Sequence, residues 1–146
     1  MTLASHQNIL SLSQSRLVAL ISADATLSAI TTNILDGIPT SLYRGTGFPY
    51  IIVHTPTIRC DRYTQTKMRV MIAFNIEVYD KKEGNVRKLG DAIRNLLYTQ
   101  QSALRENRFT NMTIKSTSIS REFLPDESST PVWKYTVSPE FRWCGT

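Results

Sequence analysis

The stretch Arg69–Tyr79, R-V-M-I-A-F-N-I-E-V-Y, decides how the rest of the chain must fold. Val70, Ile72, Phe74, Ile76 and Val78 are apolar and lie two apart, while Asn75, Glu77 and Tyr79 take the other parity. Successive side chains of a strand point to opposite faces, so this is the pattern of a central strand with one dry face. On that facing, Phe74→Ala should cost about 3 to 5 kcal/mol and Glu77→Ala under about 1 kcal/mol. The polar turn Y-D-K-K-E-G-N follows. Val86, Leu89, Ile93, Leu96 and Leu97 then recur at the spacing of a helix with one apolar stripe. Strand and helix each present an apolar surface that the other can cover. Asn85 is a fair N-cap for the helix, which ends near Tyr98 or runs on toward Leu104. Gly90 inside it costs about 1 kcal/mol relative to Ala unless a close packing partner uses the missing side chain.

Upstream, the first dozen residues hold few apolar anchors, and residues 1–12 are expected to form a flexible segment ahead of a single domain over 13–146. Ser13 is a plausible N-cap for a helix carrying Leu17, Val18, Leu20 and Ile21, which could begin as early as Ile9; Asp24 can cap a second, short helix with Leu27 and Ile30. Asp36, Gly37 and Pro39 stop helices, and residues 40–47 read as an exposed connection. Phe48–Val53 is continuously apolar, a strand covered on both faces, with Pro49 at its start where a missing donor matters least.

Downstream, Met112 and Ile114 are in one phase and Ile119, Arg121 and Phe123 in the other, which places a bulge or bend between them. After a turn over 125–130, Trp133, Tyr135, Val137, Phe141 and Trp143 alternate with polar residues. Pro139 within that strand points to an edge position or a bulge. The order α(α)ββαββ makes an α+β fold: a four-stranded, mainly antiparallel sheet with helices packed on one face.

A chain of 146 residues suits one domain, burying about 68 to 70% of its unfolded surface. No apolar run approaches the ~20 residues that cross a bilayer, and no export signal opens the sequence, so an unexported protein without membrane contact is expected. The charge of +5 is spread over single Lys and Arg residues with acids interleaved, the pattern of a solvated mixed surface. Two cysteines, Cys60 and Cys144, cannot make a disulfide framework and form no zinc motif, so both are expected as free thiols.

Catalytic signatures are missing. His6 and His54 have no partner at sequence level, and there is no phosphate-cradling glycine loop, nucleophile elbow or metalloprotease motif. No catalytic residue, cofactor or metal is expected. A small basic nucleic-acid-binding α+β module is the alternative from another class. Its aromatic signature on a central strand is missing, and the aromatic face of the last strand suits a core better than base stacking.

One segment asks for a different kind of explanation. Thr55–Lys67, T-P-T-I-R-C-D-R-Y-T-Q-T-K, puts thirteen residues between two strands that a hairpin would join with ~2 to 5. It is a functional loop, or the two strands continue outward as a ribbon. Arg59, Arg62, Tyr63 and Lys67 are its candidate contacts with other protein surfaces, since Tyr and Arg are enriched where interfaces bind tightly.

From about Arg16 to Trp143 the chain resembles the tail terminator family of long-tailed bacteriophages, also described as tail completion or head-to-tail joining proteins. The resemblance rests on an N-terminal helix followed by A-D-A-T-L-S-A-I, then F-P-Y-I-I-V, V-M-I-A-F-N-I-E-V-Y-D, V-R-K-L-G-D-A-I-R-N-L-L and two closing strands ending in F-R-W. It implies a non-enzymatic virion protein at the tail-neck junction, assembled in the host cytoplasm. Its copies would form a ring, typically a hexamer, that caps the tail tube and meets a neck or head-completion protein. DNA would pass without sequence-specific contact. Another neck or head-closure protein is the neighbouring alternative.

Overall fold

The computed structural model describes residues 3–31, 33–35, 48–62, 68–124 and 127–143. Helix α1 spans Leu3–Ala23 and α2 spans Ala25–Ser28; strands β1 (Ile34–Leu35), β2 (Tyr50–Val53), β3 (Thr57–Arg62), β4 (Met68–Ala73) and β5 (Ile76–Asp80) follow. Then come α3 (Glu83–Thr99), α4 (Gln101–Glu106), β6 (Phe109–Leu124) and β7 (Glu127–Trp143). The fold is α+β as expected, but the sheet has seven strands rather than four, in the order β1-β2-β5-β7-β4-β3 with β6 on the other side of β7.

The difference has a local cause. The expected central strand breaks at Phe74 and Asn75 into β4 and β5, and the expected connection holds a strand of its own, β3, set off from β2 at residues 54–56. The breaks lie side by side, and His54 N donates to Asn75 O across them at 3.0 Å. On the far side, Phe74 N donates to the carbonyl of Pro139 at 2.9 Å, where β7 changes partner from β5 to β4. Opposite Pro139 the β6 register shifts between Ile114 and Ser116. One line of irregularity therefore crosses the whole sheet, with prolines 56 and 139 on it, residues that cannot donate to a ladder. β1, paired in parallel with β2, supplies the seventh strand.

Of the two positions that Pro139 allowed, an edge or a bulge, the sheet takes the second. Pro139 marks a bulge, and β7 is central, paired with β6 on one side and with β4 and β5 on the other. The strand also starts at Glu127, inside the expected turn, of which residues 125 and 126 lie outside the described residues. The phase change between Ile114 and Ile119 is the register shift itself.

The dry face of the central strand is as the sequence implies. Val70, Ile72, Phe74, Ile76 and Val78 are buried in one core with Leu17 and Ile21 of α1 and Val86, Leu89, Ile93, Leu96 and Leu97 of α3. At its centre the Phe74 ring stands edge-on to Phe109 and Phe141, each 6.0 Å away. Gly90 lies against the Tyr135 ring, so that a Cβ there would fall 2.4 Å from ring carbons. The helix tolerates this glycine because the tyrosine occupies its missing side chain's place. On the opposite face Tyr50, Ile52, Tyr79 and Val132 make a smaller buried cluster, which explains why β2 is apolar throughout.

Two helix starts depart from expectation where another nearby hydrogen-bond partner competes. α1 begins at Leu3 and runs through Ser13, which is buried and donates its hydroxyl to the Leu10 carbonyl. At α3 the N-cap position is Lys82, without a side-chain cap; Asn85 instead donates to the buried Asp80 at 2.7 Å. Asp24 does cap α2, accepting from Leu27 N at 3.0 Å.

Candidate assembly interface

The segment 55–67 is largely sheet. Thr57–Arg62 forms β3, an edge strand paired in antiparallel fashion with β4 from Thr57↔Ala73 to Arg62↔Met68, so the ribbon reading holds for this part. Arg59 and Cys60 are exposed on it, and the Cys60 thiol is free. Arg62 closes the strand, whereas Tyr63 and Lys67, like Cys144, lie outside the described residues. The structure thus places Arg59 and Arg62 on one strand at the rim of the sheet.

The open face of the sheet carries a network that sequence reading missed. Glu77 on β5, only 15% exposed, has one carboxylate oxygen against His54 Nε2. Its other oxygen accepts from the Tyr79 hydroxyl at 2.5 Å and lies 3.8 Å from the Lys134 ammonium on β7. Lys134 in turn pairs with Glu122 on β6 at 2.7 Å. Charges of alternating sign thus run from Glu77 on β5 through Lys134 on β7 to Glu122 on β6, with the His54 ring beside Glu77. Lys134 is held above its ordinary pKa of 10.5, chiefly by the hydrogen bond to Glu122, with burial opposing and Glu77 assisting. Only the alternation of parity hinted at this face; which residues meet depended on strand order.

On the helix side, α3 and β6 leave a cleft of about 420 Å³ lined by Arg87, Asp91, Arg94, Thr117, Ser118, Ile119 and Tyr135. The Tyr135 hydroxyl donates to Asp91 at 3.1 Å. Burial pushes its pKa up and Asp91 adds to that, while the Arg94 guanidinium pulls it down. This arrangement orients a tyrosine that packs on Gly90; no nucleophile is paired with a base in it. Among the described residues, no group of three or more His, Cys, Asp or Glu stands close enough to hold a metal ion. No described helix is long and apolar enough to cross a membrane.

Tyr135 and Trp143 are buried, and the open sheet face at β5 and β7 presents Asn75, Glu77, Lys134, Thr136 and Ser138 where a base-stacking sheet would present aromatic rings. The fold is α+β, and among the described strands β6 and β3 stand at the rims of the sheet. The profile of the family "Tail completion protein gp17" matches residues 15–128, most of the sequence, and the chain belongs to that family of structural tail proteins. Among solved structures, a chain of the virion of a native gene transfer agent particle is similar in fold. Its TM-score is 0.67 at 13% identity, with 90% of this chain and 94% of that one covered. A comparison with curated protein sequences found no match.

Proposed function

We propose that the protein is a non-enzymatic component of the virion that caps the end of the tail tube as a hexameric ring and joins tail to head or neck. The family match over residues 15–128 carries this reading, and the fold shared with a chain of the gene transfer agent virion supports it. Its partners are other copies of itself, the tail tube protein and a neck or head-completion protein, met at the tail-neck junction after assembly in the host cytoplasm. DNA passes through the ring without sequence-specific contact. Arg59, Arg62, Tyr63 and Lys67 serve as contact residues toward the neighbouring subunit or the tail.

Light scattering on the purified protein, alone and mixed with tail tubes, tests the reading at two salt concentrations. A ring held by packing keeps its mass at moderate salt, whereas attachment through nucleic-acid phosphates falls steeply with it. A protein that stays monomeric on tubes, or that binds DNA and no tube, would overturn the proposal. Because β3 is part of the sheet, the contact residues are better tested by Arg59→Glu than by deleting the segment. The expected outcome is an unchanged circular dichroism spectrum with weakened tube binding.

A further inference from the structure

Natural sheets guard their edges with bulges, prolines, lysines and short strands. The β6 edge is guarded over half its length. Its first part carries the positive φ of Asn111, register shifts after Thr110 and after Ile114, and Lys115 at the second shift. Its second part, Ser116–Phe123, runs eight residues in unbroken register with β7 and has no bulge, proline or lysine, its charged residues Arg121 and Glu122 standing at its far end. Among the described strands β6 pairs only with β7, and β3, at the opposite rim, pairs only with β4. Beside the unguarded part, the cleft against α3 leaves Thr117 and Ile119 facing open space on the helix side of the sheet.

The two rims match. Across β3, β4, β7 and β6 every pairing is antiparallel, so β3 and β6 run in opposite directions. A second copy repeated head to tail therefore presents its β3 antiparallel to β6, with the helix-bearing faces on the same side. Resting on the ring reading above, we propose that β3 of one copy adds to the Ser116–Phe123 stretch of the next, making one sheet continuous around the ring. The register follows from the apolar residues. Ile58 and Ile119 are both half-buried and both on the helix side, and placing them opposite each other sets Cys60 against Thr117 and Arg59 against Ser118. The α3 cleft then receives the Ile58 and Cys60 side chains. This register staggers neighbours by roughly six residues, about 20 Å, over four strands spaced ~4.8 Å apart, a tilt of about 45° and within reach of closed sheets. Such heterologous contacts propagate and close into rings, whereas a β6-to-β6 contact would stop at a two-fold dimer.

Cysteine cross-linking on assembled protein tests this, with Cys144→Ser removing the second thiol and Cys60 left in place. Thr117→Cys, oxidised and run without reductant, is expected to give a ladder extending beyond dimers, because each copy then carries both halves of the junction. Ser118→Cys, on the other face, should give none, and adding Cys60→Ser should abolish the Thr117→Cys ladder. Dimers that persist without Cys60 would mean β6 pairs with itself and would overturn the proposal. So would assemblies of full mass with no cross-link at Thr117→Cys, an outcome that leaves the ring reading standing. Protein that stays monomeric on tail tubes sinks both.

Discussion

The two faces of the central strand use opposite means to reach the same end. On the helix side Phe74, Ile76 and Val78 are at most 1% exposed and touch other apolar groups, so their contribution is non-directional and follows area. On the open side Glu77 sits among His54, Tyr79 and Lys134, where geometry decides whether burial helps or harms. A dry face is tolerant of detail and intolerant of lost volume; a polar network is the reverse.

Removing volume from the dry face should therefore have the largest effect. Phe74→Ala is expected to lower stability by about 3 to 5 kcal/mol in urea unfolding, because Phe109 and Phe141 both lose the ring they stand against. A loss below ~1 kcal/mol would mean the face is not packed as described. Adding volume comes next. Gly90→Ala should destabilise by about 1 to 3 kcal/mol through the clash with Tyr135, although helix propensity alone favours Ala by ~1 kcal/mol. Gly84→Ala, where nothing lies within 4 Å, should stabilise slightly, so the pair separates packing from propensity.

On the polar face Glu77→Ala is expected to cost about 1 to 3 kcal/mol, more than the limit of about 1 kcal/mol that its parity alone implied, since it takes a largely buried acceptor from His54 and Tyr79 and leaves Lys134 with Glu122 alone. Glu77→Gln should recover part of this, and a cost under ~0.5 kcal/mol would reduce the network to decoration. pH gives the gentlest probe. Lys134 and Tyr135 both have folded pKa values above their ordinary 10.5 and 10.0, so each binds its proton more tightly in the native state. Their contribution is fully present below pH 10 and is lost as pH rises through the folded values. Thermal melts should show a fall above pH 10 that Lys134→Met reduces.

Much of the architecture was legible because it depends on local periodicity. The parity of Val70–Val78 and the stripe from Val86 to Leu97 fix which surfaces are dry, whatever they meet, since side-chain direction follows from backbone geometry alone. The bulge between Ile114 and Ile119 was visible for the same reason. What periodicity cannot express is who sits beside whom. The sheet's strand count, the central place of β7 despite Pro139, the use of Gly90 by Tyr135 and the meeting of His54 with Glu77 all depend on segments far apart in sequence. Asn85 left its expected cap for Asp80, five residues earlier, and Ser13 was absorbed into a longer helix with its hydroxyl on the Leu10 carbonyl, so in both cases another local hydrogen bond took the place of a cap worth about 1 kcal/mol. The sequence by itself thus determined the dry and wet surfaces and the missing catalytic motifs. The tertiary structure decided which edges stay open, because an edge is defined only once every strand has found its neighbours.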